Sequence, residues 1–123
     1  MKVENKFPGK DVSHEDMETK FPLTAKKNDS HKSKFSISGI EFGGDLIPIF
    51  AGPNMVESKE LIEDVALNVK KLGAHFLRGG AFKPLSFPYR SKKYNETREQ
   101  GIEWLISAKE KASIPIITEV MEE

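Results

Sequence analysis

Arg78 and Lys83 stand five residues apart across the double glycine Gly79-Gly80. Arginine presents a planar, two-pronged fork to a carboxylate or phosphate, and lysine a compact charge. Two glycines between them let the chain turn tightly and expose backbone N–H groups beside both cations. Two further groups share the same kind of position, just after an apolar run. Asn54 and Glu57 follow Ala51-Gly52-Pro53, and Thr118-Glu119 follows Ile114-Pro115-Ile116-Ile117. Together these residues describe a site for a phosphorylated or multiply anionic small molecule. Plainer roles stay open for two of them. Glu57 would also favour the N-terminus of a following helix, and Glu119 would also serve as one half of a structural ion pair. His14, His31 and His75 show neither ligand spacing nor a nucleophile partner, and Trp104 reads as a packing residue.

These side chains need elements that end together. Phe35-Ser36-Ile37-Ser38, the break at Gly39, and Ile40-Glu41-Phe42 before Gly43-Gly44 read as a β-hairpin. Leu46–Ala51 is a short apolar run suited to a buried parallel strand, with Pro48 tolerable only near its start. Leu61, Ile62, Val65, Ala66, Val69 and Leu72 recur at helical spacing. Ser58 is placed to cap that helix, Glu60 suits its first turn, Lys70 and Lys71 suit its last, and Gly73 ends it. A second strand is expected over 74–78. After a long loop, Asn95 is expected to cap a second helix bearing Ile102, Leu105, Ile106, Lys109 and Ala112, in which Gly101 is a mild weakness. A third strand is expected over 114–120. Strands alternating with helices imply an α/β fold with a parallel sheet. In such folds ligands meet the carboxyl ends of the strands, where the candidate residues lie.

Composition bounds the rest. The 123 residues allow one domain at most, and 19 basic against 19 acidic side chains give no net charge. That balance argues against a nucleic-acid partner or a polybasic membrane patch. Cysteine is absent, which removes disulfides and thiolate chemistry. No apolar run approaches a membrane span, and the first residues lead into no apolar targeting stretch, so a cytoplasmic address is expected. Residues 1–34 contain eight hydrophobic residues without a period, interrupted by Pro8, Gly9 and Pro22. They read as a low-order N-terminal arm, and 35–123 as the structured part.

Four blocks carry a resemblance. Ala51-Gly52-Pro53-Asn54-Met55-Val56-Glu57-Ser58, Leu77-Arg78-Gly79-Gly80-Ala81-Phe82-Lys83-Pro84, Ser86-Phe87-Pro88-Tyr89 and Thr118-Glu119-Val120-Met121 resemble, in order, signature segments of the 3-deoxy-7-phosphoheptulonate (DAHP) synthases. The likeness runs from about residue 23 to the end, and the hairpin at 35–44 is similar to the one that closes the barrel's bottom in that family. The resemblance implies a (β/α)₈ barrel, of which this chain would hold the hairpin, three strands and two helices. It implies an aldol-type condensation of phosphoenolpyruvate with erythrose 4-phosphate, at the entry to the shikimate route to aromatic amino acids. By position, Arg78 and Lys83 would grip phosphoenolpyruvate, Glu119 would line the floor beside it, and Ser86 would contact the aldose phosphate.

The family usually binds a divalent metal through a Cys, where this chain has Asn54. Metal-independent members of the sister family, the 3-deoxy-8-phosphooctulonate synthases, carry Asn there. Leu85 stands where the family has an Arg for the aldose phosphate. With three of eight strands and neither the Cys nor later ligands, no metal site is expected in this chain. It reads as a truncated portion, silent in catalysis alone, and aggregated, oligomeric or partly molten when isolated. The alternative expectation is a non-catalytic half-barrel that self-associates, pairs with a complementary barrel fragment, or partners an intact synthase.

Overall fold

A computed structural model describes residues 14–82 and 96–119. The element order is α1 (His14–Lys20), β1 (Phe35–Ile37), β2 (Ile40–Phe42), β3 (Phe50–Ala51), α2 (Lys59–Lys71), β4 (Phe76–Arg78), α3 (Arg98–Ala112) and β5 (Ile116–Ile117). The result is a mixed α/β fold. β1 and β2 pair antiparallel, and β3, β4 and β5 form a parallel sheet with β4 in the centre.

The hairpin forms as expected. Phe35 pairs with Phe42 and Ile37 with Ile40. Ser38 at φ 52° and Gly39 at φ 79° make the two-residue turn, a geometry that suits the twist of short hairpins. The Phe35 and Phe42 rings stack at 4.7 Å. Phe42 also lies 5.9 Å from Phe50 and 5.7 Å from Phe76, which are themselves 5.0 Å apart. These offset and tilted contacts are the favourable arrangements for aromatic quadrupoles, and they fasten the hairpin to one face of the parallel sheet.

Side-chain alternation along a strand sends neighbours to opposite faces. Ala51, Leu77 and Ile116 accordingly face the helices, and Leu77 is fully buried there with Val56, Ile62, Ala66, Leu105, Ala108 and Ile114. Phe50, Phe76, Arg78 and Ile117 take the other face. Ser58 caps α2 by accepting from the Leu61 N–H at 3.2 Å. Bonds from Gly73 N to Lys70 O and from Ala74 N to Val69 O close the helix in a Schellman turn.

Several expectations shift. The stripe of α2 that meets α3 centres on Ile62 and Ala66, whereas Leu61 and Leu72 lie on a flank and Leu72 is 85% exposed. On α3, Ile106 is exposed while Leu105, Ala108 and Ala112 carry the contact. The strands are shorter than their apolar runs. Pairing begins with Phe76 N donating to Ile49 O and Leu77 N donating to Pro115 O, and Leu46, Ile47 and Ile49 stay exposed. Gly101, a mild weakness by helix propensity, also has a packing role. A side chain there would meet Thr97 Oγ1 and, at 2.9 Å, Ala81 Cβ, so its absence sets how closely α3 approaches the loop after β4. Within the segment read as an arm, α1 forms at His14–Lys20 and Ala25 is buried. Trp104 packs against the core, as expected. Asn95, the expected cap, lies outside the described residues, and the N-cap position of α3 falls on Thr97 instead.

Glu63 links the two helices along their side. Its Oε1 accepts from Ser107 Oγ at 2.7 Å and its Oε2 from Lys111 Nζ at 2.7 Å. The Lys111 hydrogen bond first, and the Ser107 bond second, hold the Glu63 carboxyl below its usual range. A carboxylate with a lowered folded pKa stabilises the fold above its unfolded value, and that stabilisation is lost as pH falls through the folded value. Melting temperature should therefore fall on acidification from pH 7 to pH 3, and by less in Glu63→Gln. Equal acid sensitivity of the two proteins in thermal denaturation would contradict the assignment.

Candidate functional site

The carboxyl ends of the three parallel strands converge on Arg78. Its Nη1 donates to Pro53 O at 2.9 Å and to Asn54 Oδ1 at 3.3 Å, both from the chain just after β3. Its Nη2 donates to Glu119 Oε1 at 2.6 Å, from the chain just after β5. The side chains of this ion pair are about one-third exposed, at 29% and 33%. Partial shielding strengthens a charge-assisted bond while leaving it open to solutes. A guanidinium has five N–H donors. Among the described residues three are engaged, which leaves donors only on Nε and Nη2.

Close backbone approach makes this possible. Gly52 has φ 153°, and a Cβ on it would run into the carbonyl oxygen of Arg78. With only hydrogen there, the chain after β3 lies against β4, within reach of the guanidinium. Val56 N donates to Gly80 O at 2.9 Å, which ties the first of these loops to the second. Thr97 occupies the N-cap position of α3 but makes no capping bond. Its hydroxyl instead donates to Val56 O at 3.0 Å, and Arg98 N donates to Ala81 O at 2.9 Å. The helix start is thereby fixed to both loops.

The structure thus brings Arg78, Asn54 and Glu119 together. Lys83 and Ser86, and with them Leu85, lie outside the described residues. Glu57 is exposed before the α2 cap. His31 Nδ1 accepts from Lys27 N at 3.2 Å and His75 Nδ1 from Ile49 N at 3.0 Å, so each serves the backbone locally. Missed in the sequence were the Pro53 carbonyl and the Asn54 amide as partners of Arg78. A signal for Glu119 existed: Ile117 is paired with Arg78, and a residue two further along shares its face. A shallow cleft of about 350 Å³ lined by Ser38, Lys109, Glu110, Ser113, Ile114 and Pro115 lies at the other end of β5 and holds none of the candidate residues.

The model of the DAHP synthetase I family matches residues 20–123. The chain belongs to that family. Phospho-2-dehydro-3-deoxyheptonate aldolase of Thermotoga maritima is 29% identical over 103 residues, covering 84% of this chain and 30% of the relative. A 2-dehydro-3-deoxyphosphooctonate aldolase of Fusobacterium nucleatum is 34% identical over 103 residues, covering 77% of this chain and 35% of the relative. The chain therefore spans about a third of the length of these curated relatives. A crystal structure of the Thermotoga maritima DAHP synthase superposes with a TM-score of 0.64 at 29% identity, over 75% of this chain and 25% of that one. A truncated form of 3-deoxy-D-arabino-heptulosonate 7-phosphate synthase from the same organism gives 0.58 at 27% identity, over 74% and 30%.

The described residues do not fit a divalent metal of the kind the family usually binds. Asn54 supplies a neutral amide oxygen, a weaker donor than thiolate for a transition metal. That oxygen already faces a guanidinium, whose charge opposes a second cation. No group of three or more His, Cys, Asp or Glu is placed to hold a metal among the described residues. No helix among them is long and apolar enough to cross a membrane.

The Gly52 approach yields a direct test. Gly52→Ala should destabilise the protein by about 1–3 kcal/mol, the usual cost of forced overpacking, read as a lowered melting temperature. An unchanged melting temperature would show that the two loops do not need this proximity.

Proposed function

We propose that this chain supplies the phosphoenolpyruvate-binding part of a DAHP synthase-type (β/α)₈ barrel. Residues 35–123 would be the hairpin and first β/α units, preceded by an N-terminal arm over 1–34 within which α1 lies. The reaction is the aldol-type condensation of phosphoenolpyruvate with erythrose 4-phosphate in the cytoplasm, without nucleic-acid or membrane partners. Family membership supports the reaction class. The observation that carries the substrate assignment is Arg78, held by three acceptors at the strand ends with donors on Nε and Nη2 that no described residue takes. Those donors suit a carboxylate or phosphate oxygen.

Lys83 would add the second cation, Glu119 the floor of the site, and Ser86 a contact to the aldose phosphate. Leu85 offers that phosphate no donor, which weakens its recognition. Asn54 takes no metal, and substrate binding through these residues proceeds without one. Turnover belongs to the complete barrel, and the 123 residues alone are catalytically silent.

Binding of phosphoenolpyruvate to the chain, followed by isothermal titration calorimetry, should be weakened about 10-fold or more by Arg78→Gln. That is the scale of losing a hydrogen bond to a charged group, roughly 1.5–3 kcal/mol. Equal affinity in the variant would remove Arg78 from the site.

A second reading is favoured by the sheet itself. Among the described residues β3 and β5 are both outer strands, and Ile47, Ile49, Phe50 and Ile117 are exposed, Ile47 by 82%. Unpaired strand edges beside apolar side chains favour pairing with another chain. In this reading the chain is a non-catalytic half-barrel, a partner of a complementary barrel fragment, of an intact synthase or of its own copies. Light scattering of the isolated chain should give a multiple of 13.8 kDa. A monodisperse monomer would exclude self-association.

A further inference from the structure

We infer that Arg98 is a positioning residue for phosphoenolpyruvate binding: from the start of α3 it holds Ala81 and Phe82, the two residues immediately before Lys83. Its backbone lies in the left-handed region, at φ 47°, which a residue with a Cβ rarely adopts. Ser38 and Ser113 share that region, and each ends an element, Ser38 in the hairpin turn and Ser113 as the C-cap of α3. Arg98 ends nothing. It is the first residue of a 15-residue helix.

Two contacts show what the reversed φ accomplishes. Thr97 before it is right-handed, at φ −84° and ψ −12°. A right-handed residue followed by a left-handed one cups backbone N–H groups around an oxygen, and here Arg98 N meets Ala81 O at 2.9 Å. The Arg98 guanidinium carbon lies 5.4 Å from the centroid of the half-buried Phe82 ring, within cation–π range. Backbone and side chain of one residue thus grip the chain that enters the 83–95 segment, from a position just beyond that segment's end.

The charges around Arg98 suit this role and not contact with an anion. Its guanidinium lies 4.0 Å from a Glu96 carboxylate oxygen and 3.8 Å from one of Glu99. Two carboxylates outnumber the cation and repel a phosphate. Its side chain is 56% exposed, and ion pairs so long at a surface hold a side chain weakly, so the ring contact is what the guanidinium contributes. Glycine would take φ 47° without strain but could not reach Phe82. Strain kept at such a position marks a functional contact, and the residue next to Phe82 is Lys83. The binding role therefore rests on the assignment of Lys83 to the anion made above.

Trypsin reads the grip without ligand. Residues 83–95 include Arg90, Lys92 and Lys93. In Arg98→Ala, cleavage after these three residues should be at least about threefold faster than in the native chain, and Arg98→Lys, which keeps a cation over the ring, should restore the native rate. A native cleavage rate in Arg98→Ala overturns the grip.

Calorimetric titration with phosphoenolpyruvate reads its consequence. Arg98→Ala should lower affinity about fivefold, Arg98→Lys should keep it, and Phe82→Leu, which leaves the Arg98 charge in place, should lower it as much as Arg98→Ala. The double variant should bind no more weakly than either single one. Arg98→Gly relieves the backbone, so it should melt above Arg98→Ala and yet bind as weakly. Affinity that follows melting temperature across Arg98→Ala and Arg98→Gly, or native affinity in Phe82→Leu, overturns the positioning role. Weakened binding in Arg78→Gln with native binding in Arg98→Ala overturns this role alone. Absence of binding by the native chain overturns the substrate reading and the positioning role with it, while the cleavage rates still decide the grip.

Discussion

The guanidinium of Arg78 bonds to the chain that follows β3 and to the chain that follows β5, while its own backbone belongs to β4. Each parallel strand here pairs over only two or three residues, so backbone ladders hold little of the carboxyl end in place. One side chain with five donors does what longer strands would do elsewhere. The geometry of the site is thus also the geometry that keeps the strand ends together.

That arrangement depends on what lies beneath it. Leu77 is buried against the helices, and its neighbour Arg78 must then take the other face. Small residues at the α2–α3 contact, Ala66, Ala108 and Ala112, let two helices cover one short sheet. Gly101 brings the start of α3 against Ala81, and the Thr97 hydroxyl reaches over to Val56. On the opposite face the ring of Phe42 lies over Phe50 and Phe76, so the hairpin shields the amino end of the sheet and leaves the Arg78 end accessible.

Much of this was legible in the residues. Alternation about Gly39 was enough for the hairpin, because period-two patterning and a turn residue are both local signals. Ser58 and Gly73 bounded α2 for the same reason. The buried stripe of α2 was legible only to within a flank, since Leu61 and Leu72 match the helical period but α3 lies against Ile62 and Ala66. Strand lengths were overread because an apolar run reports composition, whereas pairing depends on which backbone groups lie against a neighbouring strand. Arg78 and Glu119 were each marked as site residues, but their contact joins residues 41 positions apart. Only strand order brings them together. The partnership of Asn54 with Arg78 had no local signal at all, because it follows from the close approach at Gly52.

The pairing of Arg78 with Glu119 also governs how the site is felt from a distance. Opposite charges 2.6 Å apart form a dipole whose field decays much faster than that of a lone cation. In a chain with no net charge, this pair contributes little long-range steering to a diffusing anion. Its attraction is exerted at contact, where the open N–H groups are met one by one. For the anion proposed to bind here, encounter through this pair alone would be nearly blind to ionic strength, and discrimination would fall on the time it stays rather than on how often it arrives.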